Sequence, residues 1–235
     1  MISINCLSSG SHGNCYHVTD GSSPLLLEAG IRFSEIREGI GFKTSQLAGC
    51  LISHEHGDHS KSTGKLMRAG VDCYLSSGSA RKLNLSGHRV HLLHHKQQKV
   101  ISDWIVVPFK TEHDAAEPLG FLLENMEGER LVYITDSFYS QYTFPGLTHI
   151  MVECNYALDI LNKNIESGRV HPGRKERVLK SHFSLKNVKD FLRANDLSKV
   201  QEIWLLHLSN DNSDGERFKT EIQKLTGKPV YVAGG

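Results

Sequence analysis

The stretch Ser53-His54-Glu55-His56-Gly57-Asp58-His59 decides the fold of this chain. It follows the apolar run Gly49-Cys50-Leu51-Ile52, which predicts a buried strand. Histidines at alternate positions of an extended loop can converge on one metal ion, while Asp58 and His59 can turn towards a second. The alternative is a solvated polar loop, which explains four ligand side chains at this spacing far less well.

The length and composition indicate an ordinary globular protein. The 235 residues are enough for one sizeable core, so we expect a single domain over residues 1–235. Hydrophobic residues make up 39% and charged residues 23%, which excludes a disordered chain. The formal net charge of +1 does not by itself indicate a nucleic-acid binder. The 14 histidines are unusual, because histidine is the commonest metal ligand.

The cysteines and the apolar runs predict the cellular compartment of the protein. Five cysteines are odd in number and lack CxxC spacing, which is typical of reduced thiols. The first residues do not read as a secretion signal, and no apolar run is long enough to span a bilayer. We therefore expect a cytoplasmic protein without membrane contact.

The HxHxDH pattern of residues 54–59 resembles the metallo-β-lactamase superfamily. That resemblance implies an α/β fold, an αββα sandwich with a dinuclear metal site at the sheet edge. It also implies single ligands at the ends of later strands, and His113, Asp136 and His207 each follow a predicted strand in the expected order. By resemblance, one ion is held by His54, His56 and His113, the other by Asp58, His59 and His207, and Asp136 bridges them.

Each later ligand has an ordinary alternative when taken alone. His113 fits a surface loop, Asp136 a helix N-cap and His207 a satisfied core histidine. As a set they fit two divalent ions, and without a cysteine the set suits Zn²⁺ or Mn²⁺. Such a pair can hold a bridging hydroxide that attacks phosphorus.

Two further residues favour phosphodiester chemistry. Glu153 ends a predicted strand, and His182 precedes the predicted helix Leu185–Asn195. A carboxylate beside an imidazolium can orient it to protonate a leaving alkoxide. The pair resembles the phosphodiesterase branch, which includes the tRNA 3′-processing enzymes of the tRNase Z type. The alternatives are a strand-end charge and a plain helix-start residue. With Asp58, these two are the residues expected to take part in catalysis.

Two segments near the ends of the chain resemble one branch of the superfamily. Residues 9–16 look like the SGSxGNCxY segment, and residues 207–212 like the HLSxxN segment, of the compact WalJ/YycJ-like branch. The short spacing from Asp136 to His207 leaves no room for a large inserted nuclease domain. Relatives in this branch are often carried by bacteriophages, and its cellular members are associated with DNA exonuclease activity. Glu28 departs from the family, which usually has Asp there as an outer support of the metal histidines.

Several residues are candidate substrate contacts. The Gly-rich opening loop can face a phosphate, although an ordinary hairpin fits it equally well. The stretch from Lys163 to Lys180 has a net charge of +4 and is expected to be a basic loop over the substrate cleft, or else a solvated loop. The candidates are Ser11, His12, Asn14, Arg174, Lys175, Arg177, Ser209 and Asn212.

The sequence thus predicts a metal-dependent phosphodiesterase acting on nucleic acid, DNA rather than RNA, with a DNA exonuclease as first choice. The alternative is a small-molecule phosphodiesterase that opens cyclic nucleotides. A binding module with a vestigial site is a third hypothesis, but all seven ligand positions are filled. The oligomeric state is open.

Overall fold

The computed structural model describes residues 1–234, apart from the side chain of Arg174. These residues have a mixed α/β fold whose strands form two sheets. The chain divides into two compact units, the first with Met1–Lys110, Ala115–Glu129 and Gly234, the second with Thr111–Asp114 and Arg130–Ala233. The single domain over residues 1–235 stays a prediction. No helix among the described residues is both long and apolar enough to cross a bilayer.

The first unit contains a six-stranded sheet in the order β1-β2-β3-β4-β5-β6. Strands β1 to β3 pair antiparallel, and β3 to β6 pair parallel. A second set, β7 to β9, forms an antiparallel meander. The strands are β1 Ser3–Ser8, β2 Cys15–Thr19, β3 Leu25–Leu27, β4 Gly49–Leu51, β5 Cys73–Ser76, β6 Val90–Leu93, β7 Lys99–Ile101, β8 Trp104–Lys110 and β9 Leu119–Glu124.

Short helices cover the apolar side chains of this unit. They are α1 Phe33–Gly39, α2 Gly57–Ser60, α3 Thr63–Arg68 and α4 Ser77–Lys82. Ile36 and Leu66 pack in one core cluster with strand residues such as Leu26. Helix α2 ends at Ser60 and α3 begins at Thr63, and between them the Ser62 hydroxyl donates to the Ile31 carbonyl at 2.6 Å.

The second unit has four parallel strands, β10 Arg130–Ile134, β11 His149–Glu153, β12 Glu202–Leu206 and β13 Val230–Val232, in the order β13-β12-β11-β10. Strand β11 is buried along its whole length, as expected for a parallel strand covered on both faces. Because parallel strands end at the same sheet edge, the residues after β10, β11 and β12 lie together there.

The helices of the second unit are α5 Leu158–Glu166, α6 Gly173–Ser181, α7 Leu185–Ala194 and α8 Gly215–Thr226. Helix α7 confirms the helix predicted to begin at Leu185, and it buries Leu185, Val188, Phe191 and Leu192. The predicted basic loop from Lys163 to Lys180 is wrong, because this stretch contains the end of α5 and most of α6. Val170 and Val178 pack with Leu161 in an apolar cluster, which holds the segment as helix.

Candidate metal centre

In the first unit, two histidine rings of the 53–59 stretch face each other. His54 Nε2 lies 3.1 Å from His56 Nδ1, and the Ser53 hydroxyl lies 2.8 Å from His54 Nδ1. Two nitrogens bound to one tetrahedral zinc are separated by roughly 3.3 Å, given Zn–N bonds of about 2.0–2.1 Å. The spacing of His54 and His56 therefore fits two ligands of one metal ion.

Backbone contacts hold the end of this stretch in place. The amide of Asn14 donates to the Asp58 carbonyl and that of Ala29 to the His59 carbonyl, both at 2.7 Å. At Gly30, a Cβ atom would come within 1.7 Å of the Asp58 carbonyl oxygen. Only glycine allows this approach, so Gly30 fixes where Asp58 and His59 turn.

His59 is fully buried between two polar side chains. The Glu28 carboxylate lies 3.7 Å from its Nδ1, and the Asn14 amide nitrogen lies 3.2 Å from its Nε2. Glu28 also accepts from the Ser53 amide at 3.3 Å and has a left-handed backbone, with φ of 67°. The supporting role of Glu28 stays a prediction, and its position against both His59 and Ser53 is consistent with it.

In the second unit, the candidate ligands follow the strand ends. Asp136 comes after β10 and His207 after β12, and both have left-handed backbones, with φ of 42° and 50°. Such conformations cost about 1–3 kcal/mol for a non-glycine residue and cluster at functional sites. The Thr135 hydroxyl donates to Asp136 Oδ1 at 2.9 Å, and His207 Nδ1 lies 2.9 Å from the same oxygen.

Glu153 is the centre of this cluster and is fully buried. Its Oε1 lies 2.6 Å from His182 Nδ1 and 3.0 Å from His207 Nδ1. Its Oε2 accepts from the amides of Ser137 and Phe183, both at 3.1 Å. Ligand atoms of Asp136, Glu153, His182 and His207 all lie within 4.8 Å of one another. Nδ1 of both rings faces Glu153, so Nε2 of each ring points away from this carboxylate.

The charges of this cluster shift the pKa values of its members. Burial lowers the pKa of His182, but the charge and hydrogen bond of Glu153 outweigh it, so the pKa is raised overall. Burial raises the pKa of Glu153, but the charge of His182 and the hydrogen bonds from His182 and His207 together outweigh it, so that pKa is lowered. The two shifts agree on an ion pair between Glu153 and the imidazolium of His182.

His113 is held differently. Its Nδ1 lies 3.0 Å from the Ser181 carbonyl, and its Nε2 lies 3.5 Å from Asp136 Oδ2 and 3.3 Å from Asp114 Oδ1. Burial lowers the pKa of His113 more than the neighbouring carboxylates raise it. In a neutral ring whose Nδ1 donates a hydrogen bond, Nε2 carries the lone pair that a metal ligand needs.

The structure separates the candidate substrate contacts into two groups. Ser11 and His12 are exposed at the tip of the opening loop. Arg177 is exposed and lies 3.3 Å from Asp114, while Lys175 is half-buried, and the side chain of Arg174 lies outside the described residues. These assignments stay predictions.

Two of the candidates are interior residues instead. Asn14 is fully buried, and its amide bonds Gly10 and Asp58, which leaves no surface for a substrate. Asn212 is buried and accepts from the Asn164 amide at 3.1 Å, while the Ser209 hydroxyl accepts from the Asn212 amide at 3.2 Å. We therefore correct Asn14 and Asn212 to structural roles, and Ser209 alone of the closing segment stays a candidate.

Sequence reasoning missed the groups that orient the candidate ligands. Ser53 contacts His54, Thr135 contacts Asp136, and the Ser181 carbonyl contacts His113. The first two precede a ligand directly, so a hydroxyl beside a ligand was the available signal. Ser181 lies 68 positions from His113, and no sequence pattern marks that contact.

Comparisons with known proteins find relatives similar to most of the chain. The chain is 25% identical over 224 residues to the exodeoxyribonuclease WalJ of Streptococcus pneumoniae, covering 88% of this chain and 81% of the relative. It is 27% identical to the exodeoxyribonuclease YycJ of Bacillus anthracis, covering 98% and 91%. No family model matches the chain.

Solved structures share the fold at lower identity. The metallo-β-lactamase fold protein YhfI of Bacillus subtilis superposes with a TM-score of 0.77 at 16% identity, covering 99% of this chain and 96% of that one. The short form of human tRNase Z gives 0.61 at 13% identity, covering 89% and 93%. These likenesses confirm the predicted fold class.

The metallo-β-lactamase fold, the histidine-rich cluster and the sequence similarity to WalJ and YycJ together define a metal-dependent hydrolase. Among proteins with this fold, its sequence is similar to WalJ and YycJ over most of its length.

Proposed function

We propose that this protein is a phosphodiesterase that degrades DNA from an end, using two divalent metal ions. The observation that carries the chemistry is the contact of 2.6 Å between the buried Glu153 and His182. The support for DNA is that WalJ and YycJ, which align over most of the chain, are both named exodeoxyribonucleases.

The metal ligands are part of this proposal. We assign one ion to His54, His56 and His113, the other to Asp58, His59 and His207, and the position between them to Asp136. The ligand set of imidazoles and carboxylates suits Zn²⁺ or Mn²⁺. When bound, the ions would supply Lewis acidity and an activated water to the hydrolysis.

His182 would supply the proton that the leaving group needs. As hydrolysis breaks the bond between phosphorus and the 3′ or 5′ oxygen, the imidazolium donates its Nε2 proton to that oxygen. Glu153 holds Nδ1 and so fixes the direction of Nε2. The His182 side chain is 19% exposed, which leaves it within reach of a substrate.

The five cysteines are free thiols, four of them buried. This supports a reducing compartment such as the cytoplasm as the place where the protein acts.

The test is hydrolysis by protein loaded with Zn²⁺ or Mn²⁺. End-labelled DNA, the same sequence as RNA and a panel of cyclic nucleotides are incubated in parallel. We expect DNA to shorten progressively from one end and RNA to react more slowly. Opening of a cyclic nucleotide with intact DNA would replace this proposal by a small-molecule phosphodiesterase.

A further inference from the structure

A strongly basic surface lies on the first unit, outside the candidate metal centre. Between Lys61 and Lys99 the sequence has eight lysines and arginines and one acidic residue, Asp72. The whole chain has a net charge of only +1, so the remainder is net negative. This segment, which contains α3, α4 and β6, therefore has a net charge of +7, against +4 for the stretch from Lys163 to Lys180.

Two hollows of this surface have only basic residues among the ionisable residues that line them. One, of about 570 Å³, has Arg68, His88 and Arg89 as its ionisable residues. The other, of about 620 Å³, has Arg81. Among the residues that line them there is no aspartate or glutamate. Both share residues 84–87, so they lie on either side of one loop.

Most of these cations are not neutralised. In the described part of the chain, Arg89 pairs with Asp72 at 3.0 Å, but Arg68, Arg81 and Lys82 have no ion pair. All three of these side chains are exposed. Like charges held close together repel each other and destabilise the folded state. A polyanion removes that repulsion and gains affinity by releasing its counterions.

The same segment is attached to the 53–59 stretch. Helix α3 begins four residues after His59. Helix α4 contacts the 53–59 stretch through the Ser79 hydroxyl, which donates to the Glu55 carboxylate at 3.2 Å. Arg81 lies two residues further along α4, a rise of about 3 Å.

We infer that the basic surface formed by Arg68, Arg81, Lys82, His88 and Arg89 binds the phosphate backbone of DNA outside the reaction centre. This inference rests on the proposed function, because it takes DNA as the polyanion. The surface contributes affinity and salt dependence, and it leaves the chemistry at phosphorus unchanged. In the stretch from Lys163 to Lys180, by contrast, Arg177 and Lys180 are already paired with Asp114 and Glu176.

The test compares two triple variants of the metal-loaded protein. In one, Arg68→Gln, Arg81→Gln and Lys82→Gln neutralise the basic surface. In the other, Lys43→Gln, Lys199→Gln and Lys224→Gln remove the same charge from exposed positions elsewhere. Binding of a fluorescent DNA oligonucleotide with phosphorothioate linkages, which resist hydrolysis, is followed by anisotropy between 50 and 200 mM salt.

We expect the first variant to bind at least tenfold more weakly at low salt. Its slope of log Kd against log salt should fall by about 2 to 3, because each lost phosphate contact removes about 0.7–0.9. The second variant should stay close to the wild type. Both should hydrolyse a nitrophenyl phosphodiester at the wild-type rate, which shows that they fold.

The possible outcomes distinguish a failure of this inference from a failure of the proposed function. If the wild type cleaves DNA and both variants bind it alike, the inference is wrong and the proposed function stands. If the wild type hydrolyses the nitrophenyl ester but neither binds nor cleaves DNA, the proposed function fails and the inference with it. Equal loss of nitrophenyl ester hydrolysis and DNA binding in the first variant also overturns the inference, because the residues would then support the fold.

Discussion

Glu153 holds His182 at 2.6 Å, and the same carboxylate oxygen lies 3.0 Å from Nδ1 of His207. One buried charge therefore positions both the proposed proton donor and a proposed metal ligand. The sequence predicted only the contact with His182. Since the two histidines share one support, a change at Glu153 should affect proton donation and metal binding together.

The variant Glu153→Gln tests this shared support. It removes the charge at nearly constant shape, so His182 loses the ion pair with Glu153, and His207 loses one of the two carboxylates near its Nδ1 and keeps Asp136 at 2.9 Å. We expect slower cleavage of both DNA and a nitrophenyl phosphodiester, with metal affinity reduced about 10–100-fold. Metal content after dialysis and both rates are measured, with Glu202→Gln on β12 as the control. Normal metal content with a defect limited to DNA would show that Glu153 serves His182 alone.

His182→Ala separates proton donation from metal binding. A nucleotide alkoxide is a poor leaving group, so DNA cleavage should fall by roughly 10²–10⁴-fold. A nitrophenolate leaves without a proton, so the nitrophenyl ester should react at close to the normal rate. Metal content should stay unchanged, since His182 is not an assigned ligand. Loss of one ion would mean that His182 is a ligand and that His207 is the acid.

The sequence was most informative where ligands are close along the chain. His54, His56, Asp58 and His59 lie within six positions after a strand, so local geometry predicts that they converge. Asp136, Glu153 and His207 were predictable from position, because each follows or ends a strand of one parallel sheet. The link from Glu153 to His207 spans 54 positions, and only the register of β11 with β12 reveals it.

The errors also have physical causes. Residues 163–180 read as a loop because they are strongly charged and contain Pro172 and Gly173. Proline and glycine here begin α6, and the apolar contact of Val178 with Leu161 stabilises it. Asn14 read as a phosphate contact because it lies in a Gly-Ser turn, and its burial against His59 was not visible in the sequence.

The proposed ligands are tested by His56→Ala and Asp136→Asn. Asparagine tolerates the left-handed backbone of Asp136, so this variant removes charge with little strain. We expect both variants to lose DNA and nitrophenyl ester hydrolysis, and to hold clearly fewer than two ions per chain. The matched control is His94→Ala at an exposed histidine, which should keep its hydrolysis of both substrates and its metal content. Full activity of either ligand variant in a metal chelator would contradict the dinuclear proposal.

The ion pairs of Glu221, one of which joins α8 to α7, predict a pH dependence of stability. Glu221 on α8 pairs with Lys189 on α7 and with Arg217, and their hydrogen bonds lower the pKa of Glu221. A carboxyl with a lowered folded pKa stabilises the protein above its ordinary pKa of about 4.3. That stability is lost as the pH falls through the lower folded value.

Glu221→Gln should therefore reduce the free energy of unfolding at pH 7 by up to about 1 kcal/mol, a small effect because the pair is partly exposed. The difference from the wild type should shrink as the pH falls from about 5 to 3. Urea unfolding at several pH values measures it. A difference that is constant with pH would show that packing, and not charge, stabilises this contact.

The approach of Gly30 to Asp58 gives the sharpest structural prediction. In Gly30→Ala the new Cβ would lie 1.7 Å from the Asp58 carbonyl oxygen and 2.8 Å from the Asn14 amide nitrogen, so the backbone of the ligand stretch must shift. We expect a loss of about 1–3 kcal/mol in stability, together with a loss of bound metal.

Gly57→Ala is the matched control for Gly30→Ala. Gly57 directly precedes Asp58 in the 53–59 stretch, and a Cβ at Gly57 meets no atom within 4 Å. It should keep its metal and its activity. Thermal unfolding and metal content are measured for both variants. Since the two substitutions add the same methyl group a short distance apart, equal behaviour would mean that the contact of Gly30 with Asp58 does not set the position of the ligands.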